Sequence, residues 1–291
     1  MFDKFLKKKS ELIGQIMIDA GMIDHQQLRQ ALKVKKKEDS YIGEILIKLG
    51  YITQADLTSA LQKQLSYSIV PVSQRDLESP EATEFYRLQT NIKFALFSDE
   101  PIKTLMFTSS VPREGKSMSI AYFALVMANV MEKKTLIVDC DLRHPALHIH
   151  FGLKSPFGLC DVLVGNKPLE QCIQETEINN LKVLPCGTKP PNPAALLASQ
   201  KMKDLIKDLK DKFDLVLFDS SPLFPVADSS ILSVNIDAAI LIIEAGSTRR
   251  KIVQRAVDVL KESNTKILGA ILNRIEEEQL PIYGYRKGYK A

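Results

Sequence analysis

Apolar and polar positions follow two different rhythms along the chain, with the change near residue 66. Upstream of it the apolar residues recur at helical spacing, and the pattern repeats. Ile13-Gly-Gln-Ile-Met-Ile-Asp-Ala-Gly-Met-Ile23 matches Ile42-Gly-Glu-Ile-Leu-Ile-Lys-Leu-Gly-Tyr-Ile52 at an offset of 29 residues. Leu28 and Leu32 match Leu57 and Leu61 at the same offset. Each copy predicts a helix, a glycine turn and a second helix. Gly21 and Gly50 stand where a left-handed C-cap is needed. Asp24 and Thr53 stand where the next N-cap belongs. Two copies are too few for an open solenoid, so a small closed helical bundle is expected.

Residues 67–80 mix apolar and polar types and include two prolines, which predicts a linker. From residue 81 onward, strand-length apolar runs alternate with helical stretches. Strands are predicted at 103–108, 135–139, 181–185, 215–219, 238–244 and 266–273. Such runs suit strands buried on both faces of a parallel sheet. The expected fold is therefore α/β: a P-loop, doubly wound, mostly parallel sheet preceded by a small all-α domain. The expected division is 1–66 helical repeat, 67–80 linker, 81–282 catalytic domain and 283–291 flexible tail.

The most informative chemistry lies at the end of the first predicted strand. Phe107-Thr-Ser-Ser-Val-Pro-Arg-Glu-Gly-Lys-Ser117 runs from that strand into an apolar helix at 119–131. Strand, tight loop, Gly-Lys-Ser and helix make a phosphate-binding loop. Backbone N–H groups of the loop and first helical turn converge on one anion. Lys116 supplies a cation for the β/γ-phosphates, and the Ser117 hydroxyl a ligand for Mg²⁺. Ser110 occupies the position where the usual pattern has its first glycine. Two later strands end in acids: Leu136-Ile-Val-Asp-Cys-Asp-Leu-Arg143 and Leu215-Val-Leu-Phe-Asp219. Ligands of such sheets bind beyond the strand carboxyl ends, where Asp139, Asp141 and Asp219 would converge with Ser117 on a metal.

The bulk composition changes this picture little. Apolar residues make up 45% of 291, enough for a sizeable core. A formal charge of +4 argues for no nucleic-acid partner. The runs Lys7–Lys9 and Lys35–Lys37 read first as solvated helix faces and second as contacts to an anionic membrane surface. Cys140, Cys160, Cys172 and Cys186 lack any C-x-x-C spacing, so neither zinc nor a disulfide framework is expected. No apolar stretch is long enough to span a bilayer, and none resembles a leader. A cytoplasmic protein is expected, peripheral to the inner face of the membrane through a partner.

Glu114-Gly-Lys-Ser117, Asp139-x-Asp141-x-Arg143 and Asp219-x-x-Pro222 resemble the Walker A, A′ and B motifs of bacterial tyrosine kinases of capsule and exopolysaccharide assembly. Tyr86-Arg-Leu-Gln-Thr-Asn-Ile92, Arg143-His-Pro145, Pro193-Ala-Ala-Leu-Leu197 and Ile271-Leu-Asn273 agree, and the resemblance covers about residues 70–291. The MinD and ParA partitioning ATPases share the sheet. They carry a lysine where this chain has Val111. That difference favours the kinase branch over an ATPase switch that positions a membrane assembly without kinase activity.

The resemblance implies an ATP- and Mg²⁺-dependent protein tyrosine autokinase regulating exopolysaccharide synthesis and export. Lys116, Asp139 and Asp141 would be catalytic. Ser110, Pro112, Arg113, Glu114, Gly115, Lys116, Ser117, Met118 and Asn273 would bind ATP. Ser117, Asp139, Asp141 and Asp219 would hold the metal, with base and metal ligand not separated between Asp139 and Asp141. Tyr283, Tyr285 and Tyr289 in the glycine-containing tail would accept phosphate. A transmembrane activator of the polysaccharide co-polymerase type and self-association are implied as well. At the family's Glu-x-x-Arg-x-x-Arg subunit-contact motif this chain has Glu84, Arg87 and Thr90.

The N-terminal repeat resembles the N-terminal domain of type II secretion and pilus assembly ATPases, some of which bind cyclic di-GMP through it. Leu12 and Tyr41 stand at the two positions where that family has arginine. Docking of a protein partner is the expectation drawn from it.

Overall fold

In the computed structural model, which describes residues 14, 17–18, 20–35, 42–53, 56–57, 72–96, 101–154 and 156–275, the chain divides between Val70 and Pro71. The first unit contains helix α1 (His25–Lys35) and helix α2 (Ile42–Lys48). Met17, Ile23, Ala31, Ile42, Ile45, Leu46, Ile52 and Leu57 are buried together. The 29-residue offset survives in the hydrogen bonds. Met22 N donates to Met17 O (2.9 Å), and Tyr51 N donates to Leu46 O (3.0 Å). Gly21 and Gly50 close these turns at φ +67° and +73°. Asp24 and Gln27 form a reciprocal cap, with Gln27 N on Asp24 Oδ1 and Asp24 N on Gln27 Oε1, both at 2.8 Å. Thr53 and Asp56 do the same one repeat later. The cyclic di-GMP positions Leu12 and Tyr41 lie outside the described residues.

The second unit opens earlier than the composition predicts. Of the expected linker, residues 72–80 are seated on the α/β unit. Val72 is buried and its N–H donates to His150 O at 2.7 Å. A 3₁₀ turn (Gln74–Glu78) is locked by Ser73 N on Asp76 Oδ2 (2.7 Å), and helix α3 (Pro80–Leu96) follows. Pro80 stands at the first helical position, where its missing N–H costs nothing.

The sheet contains β1 (Thr104–Ser109), β2 (Thr135–Cys140), β3 (Gln174–Glu175), β4 (Leu181–Leu184), β5 (Leu215–Ser220), β6 (Ala238–Glu244) and β7 (Ile267–Asn273). Their order is β3-β4-β2-β5-β1-β6-β7. All neighbours run parallel except the short β3, which is antiparallel to β4. β3 is two polar residues long and leaves no hydrophobic run to read. The six predicted strands lie within one residue of the observed ones, because their apolar runs are bounded by polar or Gly/Pro positions.

Alternation in the central strands feeds two cores. Leu105, Phe107, Ile137, Leu217 and Ile240 face helix α4 (Lys116–Val130), whose Phe123 ring lies 5.4 Å from that of Phe107. Met106, Leu136, Val138, Phe218 and Leu241 face the opposite layer. The short α5 (Leu147–His150) packs on the α4 side through Leu147, and the opposite layer holds α6 (Leu159–Val164), α7 (Leu169–Cys172), α8 (Pro193–Leu197), α9 (Gln200–Lys212), α10 (Asp228–Ser233) and α11 (Arg250–Glu262). α4 is apolar around its circumference, which suits a helix wedged between the sheet and α3; Phe85 of α3 stacks on its Tyr122.

One junction is too tight for a side chain. Gly187, at φ +75°, has Asp161 Oδ2 2.2 Å and Gly158 N 2.3 Å from where a Cβ would sit. Asp161 spends both oxygens there, on Gly158 N, Thr188 N and Thr188 Oγ1. Gly187→Ala adds left-handed strain to overpacking, so a loss of about 2–4 kcal/mol is expected in urea unfolding. A loss under about 1 kcal/mol would mean the junction yields.

Candidate nucleotide site

β1, β5 and β2 lie side by side, and the site is built on their carboxyl ends. In register, Phe107 of β1 faces Asp219 of β5, which faces Asp139 of β2. The loop 110–115 leaves β1 and enters α4 at Lys116. Gly115 is the N-cap in the left-handed region (φ +89°, ψ 22°), and no side chain caps the helix. The N-terminal amides are therefore left for an anion. Ser109 O and Ser110 O accept from Leu223 N (2.8 Å) and Phe224 N (3.1 Å), tying the loop to the segment after β5. Ser110, the residue that replaces glycine, is buried, and its hydroxyl has no partner among the described residues.

Lys116 is 7% exposed, Asp141 6%, and Asp219 and Asp139 are fully buried, so the three acids and the cation occupy one nearly dry site. Among the described residues neither Asp219 oxygen has a hydrogen-bond partner. Burial pushes its carboxyl up to about 7, although the Lys116 charge pulls the other way. Asp139 Oδ2 accepts from Ala146 N and Leu147 N at 3.1 Å each, capping α5, while its Oδ1 has no partner among the described residues. Burial first, and the neighbouring Asp219 second, hold Asp139 well above the usual carboxylate range. Asp141 Oδ1 accepts from His144 N at 3.0 Å. Unpartnered buried carboxylates are costly unless a ligand satisfies them. The donor set fits a Mg²⁺ ion with a nucleotide phosphate beside it.

Two residues do other work than their motifs suggest. Arg143 turns from the acids and makes a paired contact with Asp228 of α10, Nε to Oδ2 at 2.6 Å and Nη2 to Oδ1 at 3.1 Å. Glu114 points inward, with Oε2 accepting from Val111 N (2.9 Å) and Oε1 from Glu244 N (3.1 Å) and from Thr248 Oγ1. Its carboxylate braces the loop from within the protein. Asn273 Nδ2 donates to Glu114 O at 2.9 Å. Thr248 and Asp228 carry no motif and act only through the fold. Ser110, Pro112, Arg113, Gly115, Ser117 and Met118 all lie on the loop or the first turn of α4. Tyr283, Tyr285 and Tyr289 lie outside the described residues.

A family model described as an AAA domain matches residues 114–268. The tyrosine-protein kinase YwqD of Bacillus subtilis (strain 168) is 37% identical over 214 residues, 74% of this chain and 90% of that protein. The chain belongs to the bacterial tyrosine-protein kinases. Its structure is similar to the kinase domain of the Escherichia coli tyrosine kinase ETK, with a TM-score of 0.67 at 28% identity over 75% of this chain and 86% of that one. The septum site-determining protein MinD from Pyrococcus horikoshii, solved with Mg-ADP, is a more distant neighbour. Its TM-score is 0.54 at 27% identity over 62% of this chain and 74% of that one.

Membership in this kinase family agrees with the acid-ended strands of the site. The α/β unit of this bacterial tyrosine-protein kinase is a P-loop nucleotide-binding fold. Glu84 and Arg87 pair with each other at 3.1 Å, and the Thr90 hydroxyl bonds back to Tyr86 O at 3.0 Å.

Proposed function

We propose that this chain is a protein tyrosine autokinase of exopolysaccharide or capsule assembly. It would transfer the γ-phosphoryl group of ATP to Tyr283, Tyr285 and Tyr289 of its own C-terminal segment. The observation that carries the reading is the pair of buried carboxylates, Asp219 and Asp139, with uncommitted oxygens beside an uncapped helix start and a buried lysine. ATP fits this arrangement as an anion, and Mg²⁺ offsets the carboxylates and the phosphate charge.

Ser117 and Asp219 are assigned to the metal, with Asp139 and Asp141 completing the acidic side. Among the described residues no three His, Cys, Asp or Glu side chains form a metal cluster by themselves. This suits an ion that arrives with nucleotide phosphates, since Mg²⁺ commonly uses one or two carboxylates. Lys116 and the loop amides hold the phosphates in line. The tyrosine oxygen attacks phosphorus, the bond to the β-phosphate oxygen breaks, and the phenol proton is released. A phenol with a reference pKa of about 10 needs an acceptor for that proton. Asp139 is the stronger candidate, with one oxygen free and a raised proton affinity.

Self-association would bring one copy's tail to its neighbour's site. Among the described residues no helix is long and apolar enough to cross a membrane. A transmembrane activator of the co-polymerase type is therefore our reading for membrane recruitment. The N-terminal repeat is assigned to docking a protein partner.

The test is incubation of purified protein with Mg·ATP and a phosphotyrosine readout, comparing wild type with Tyr283, Tyr285 and Tyr289 replaced together by Phe. Phosphotyrosine in the wild type and its loss in the triple variant is the expected result. ATP hydrolysis with no phosphotyrosine, even with an activator fragment present, would instead favour a nucleotide switch.

A further inference from the structure

Thr248 stands in the turn between β6 and α11, outside every motif of the site, yet its hydroxyl donates to Glu114 Oε1 inside the phosphate loop. Glu114 is fully buried, and among the described residues it has no ion-pair partner. Its charge is met by three neutral donors: Val111 N, Glu244 N and Thr248 Oγ1. Two of the three come from the far side, 130 or more residues along the chain. Hydrogen bonds to an ionised acceptor are the strong kind, and losing one leaves a buried charge short of a donor.

The same carboxylate shapes the loop. Its Oε2 holds Val111 N, so the chain between 111 and 114 closes into a tight arch. Arg113 within that arch sits at φ +70°, a strained value for a non-glycine residue that persists only when the surroundings enforce it. Asn273 closes the arch from above, and a Cβ on Gly115 would lie 2.0 Å from Asn273 Nδ2. The loop lacks its first glycine, Ser110 standing there, and is held from outside. Arg274, next to Asn273, pairs with Glu244 at 2.6 Å, so the strand ends of β6 and β7 form one braced support.

We propose that Thr248 is a positioning residue for nucleotide binding, acting through Glu114 to hold the phosphate loop in its binding shape. This deepens the nucleotide-site reading and rests on it. Removing the hydroxyl leaves Glu114 Oε1 held by Glu244 N alone of these two donors. The arch then loosens, and the amides at 113–117 converge less well on phosphate. Affinity for nucleotide should fall more than the maximal rate of phosphoryl transfer, because loaded phosphates themselves help to order the loop.

The experiment measures binding of Mg·ADP to the full-length chain by calorimetry for wild type, Thr248→Val, Thr248→Ala and Thr248→Ser, with unfolding followed by circular dichroism. Thr248→Val keeps the shape and removes the donor, and it should weaken binding by roughly 10-fold. Thr248→Ser restores the donor and should bind within about 3-fold of wild type. The KM for ATP should rise by a similar factor while kcat changes less than 3-fold. Thr248→Ala gives the same comparison if the valine variant does not fold. Wild-type affinity in the folded Val or Ala variant overturns the proposal. So does a Thr248→Ser variant as weak as Thr248→Val, which would assign the effect to methyl packing. Failure of wild type itself to bind Mg·ADP would sink the nucleotide reading instead, so the two failures are distinguishable.

Discussion

Asp219→Asn yields a protein that unfolds at higher denaturant concentration than wild type at pH 8 without nucleotide, and that has lost at least about 100-fold in tyrosine phosphorylation. Both effects come from one side chain. Asp219 is fully buried with both oxygens unpartnered, and burial raises its carboxyl to about 7. Unfolded, the same group has a pKa near 3.8. Below pH ~4 it is protonated in both states and costs nothing. Between pH ~4 and ~7 the unfolded chain has released a proton that the folded chain still holds, so stability falls as pH rises. Above ~7 the full penalty is present.

The neutral amide removes that penalty, with an expected gain of about 1–3 kcal/mol at pH 8. It also removes the repulsion that helps to raise Asp139. The thermal midpoint of nucleotide-free wild type should accordingly drop between pH 5 and pH 8, and the variant's less so. Saturating Mg·ADP should shrink the wild-type drop, since the ion and phosphate use the charge that burial opposes. Equal pH slopes in wild type and variant would show that Asp219 is not the group responsible.

Lys116→Met is expected to remove phosphoryl transfer by 10³-fold or more and to weaken Mg·ATP binding. Lys116 is 7% exposed at the first position of α4, so its ammonium is held close to where phosphates collect and is poorly screened by water. Methionine keeps the stem and its packing but not the charge. The substitution also removes the attraction that lowers Asp219, so the carboxyl of Asp219 moves further up. The checks are phosphotyrosine yield and nucleotide calorimetry on protein shown to be folded. Retention of more than about a tenth of wild-type phosphorylation would mean that the lysine is not the phosphate cation.

The elements of the α/β unit were legible because buried parallel strands must be apolar throughout and must stop where polar or Gly/Pro residues begin. The phosphate loop was legible because Gly115, Lys116 and Ser117 serve a local geometry that any strand-to-helix turn of this kind requires. Asp139 and Asp219 were legible as strand-end acids. Residues 72–80 misled because prolines mark helix starts as well as loose chain. The partners of Glu114 were not legible, because two of its three donors, Glu244 N and Thr248 Oγ1, come from far along the chain. Arg143 was read only as part of a motif, and the structure shows its guanidinium serving Asp228, a buried acid in no motif.

By itself the sequence determined the sheet's class, the anion-binding turn, the two acid-ended strands and the 29-residue repeat, since each rests on contacts within a short stretch of chain. Only the tertiary structure decided which strand ends meet. It placed β5 between β1 and β2 and so set Asp219 beside Asp139. It also brought Glu244, Thr248 and Asn273 onto the loop. Those partners lie more than a hundred residues away, and no local pattern encodes them. Burial then does what composition cannot express: it removes water from the carboxylates, raises their proton affinity and leaves them oxygens for a cation.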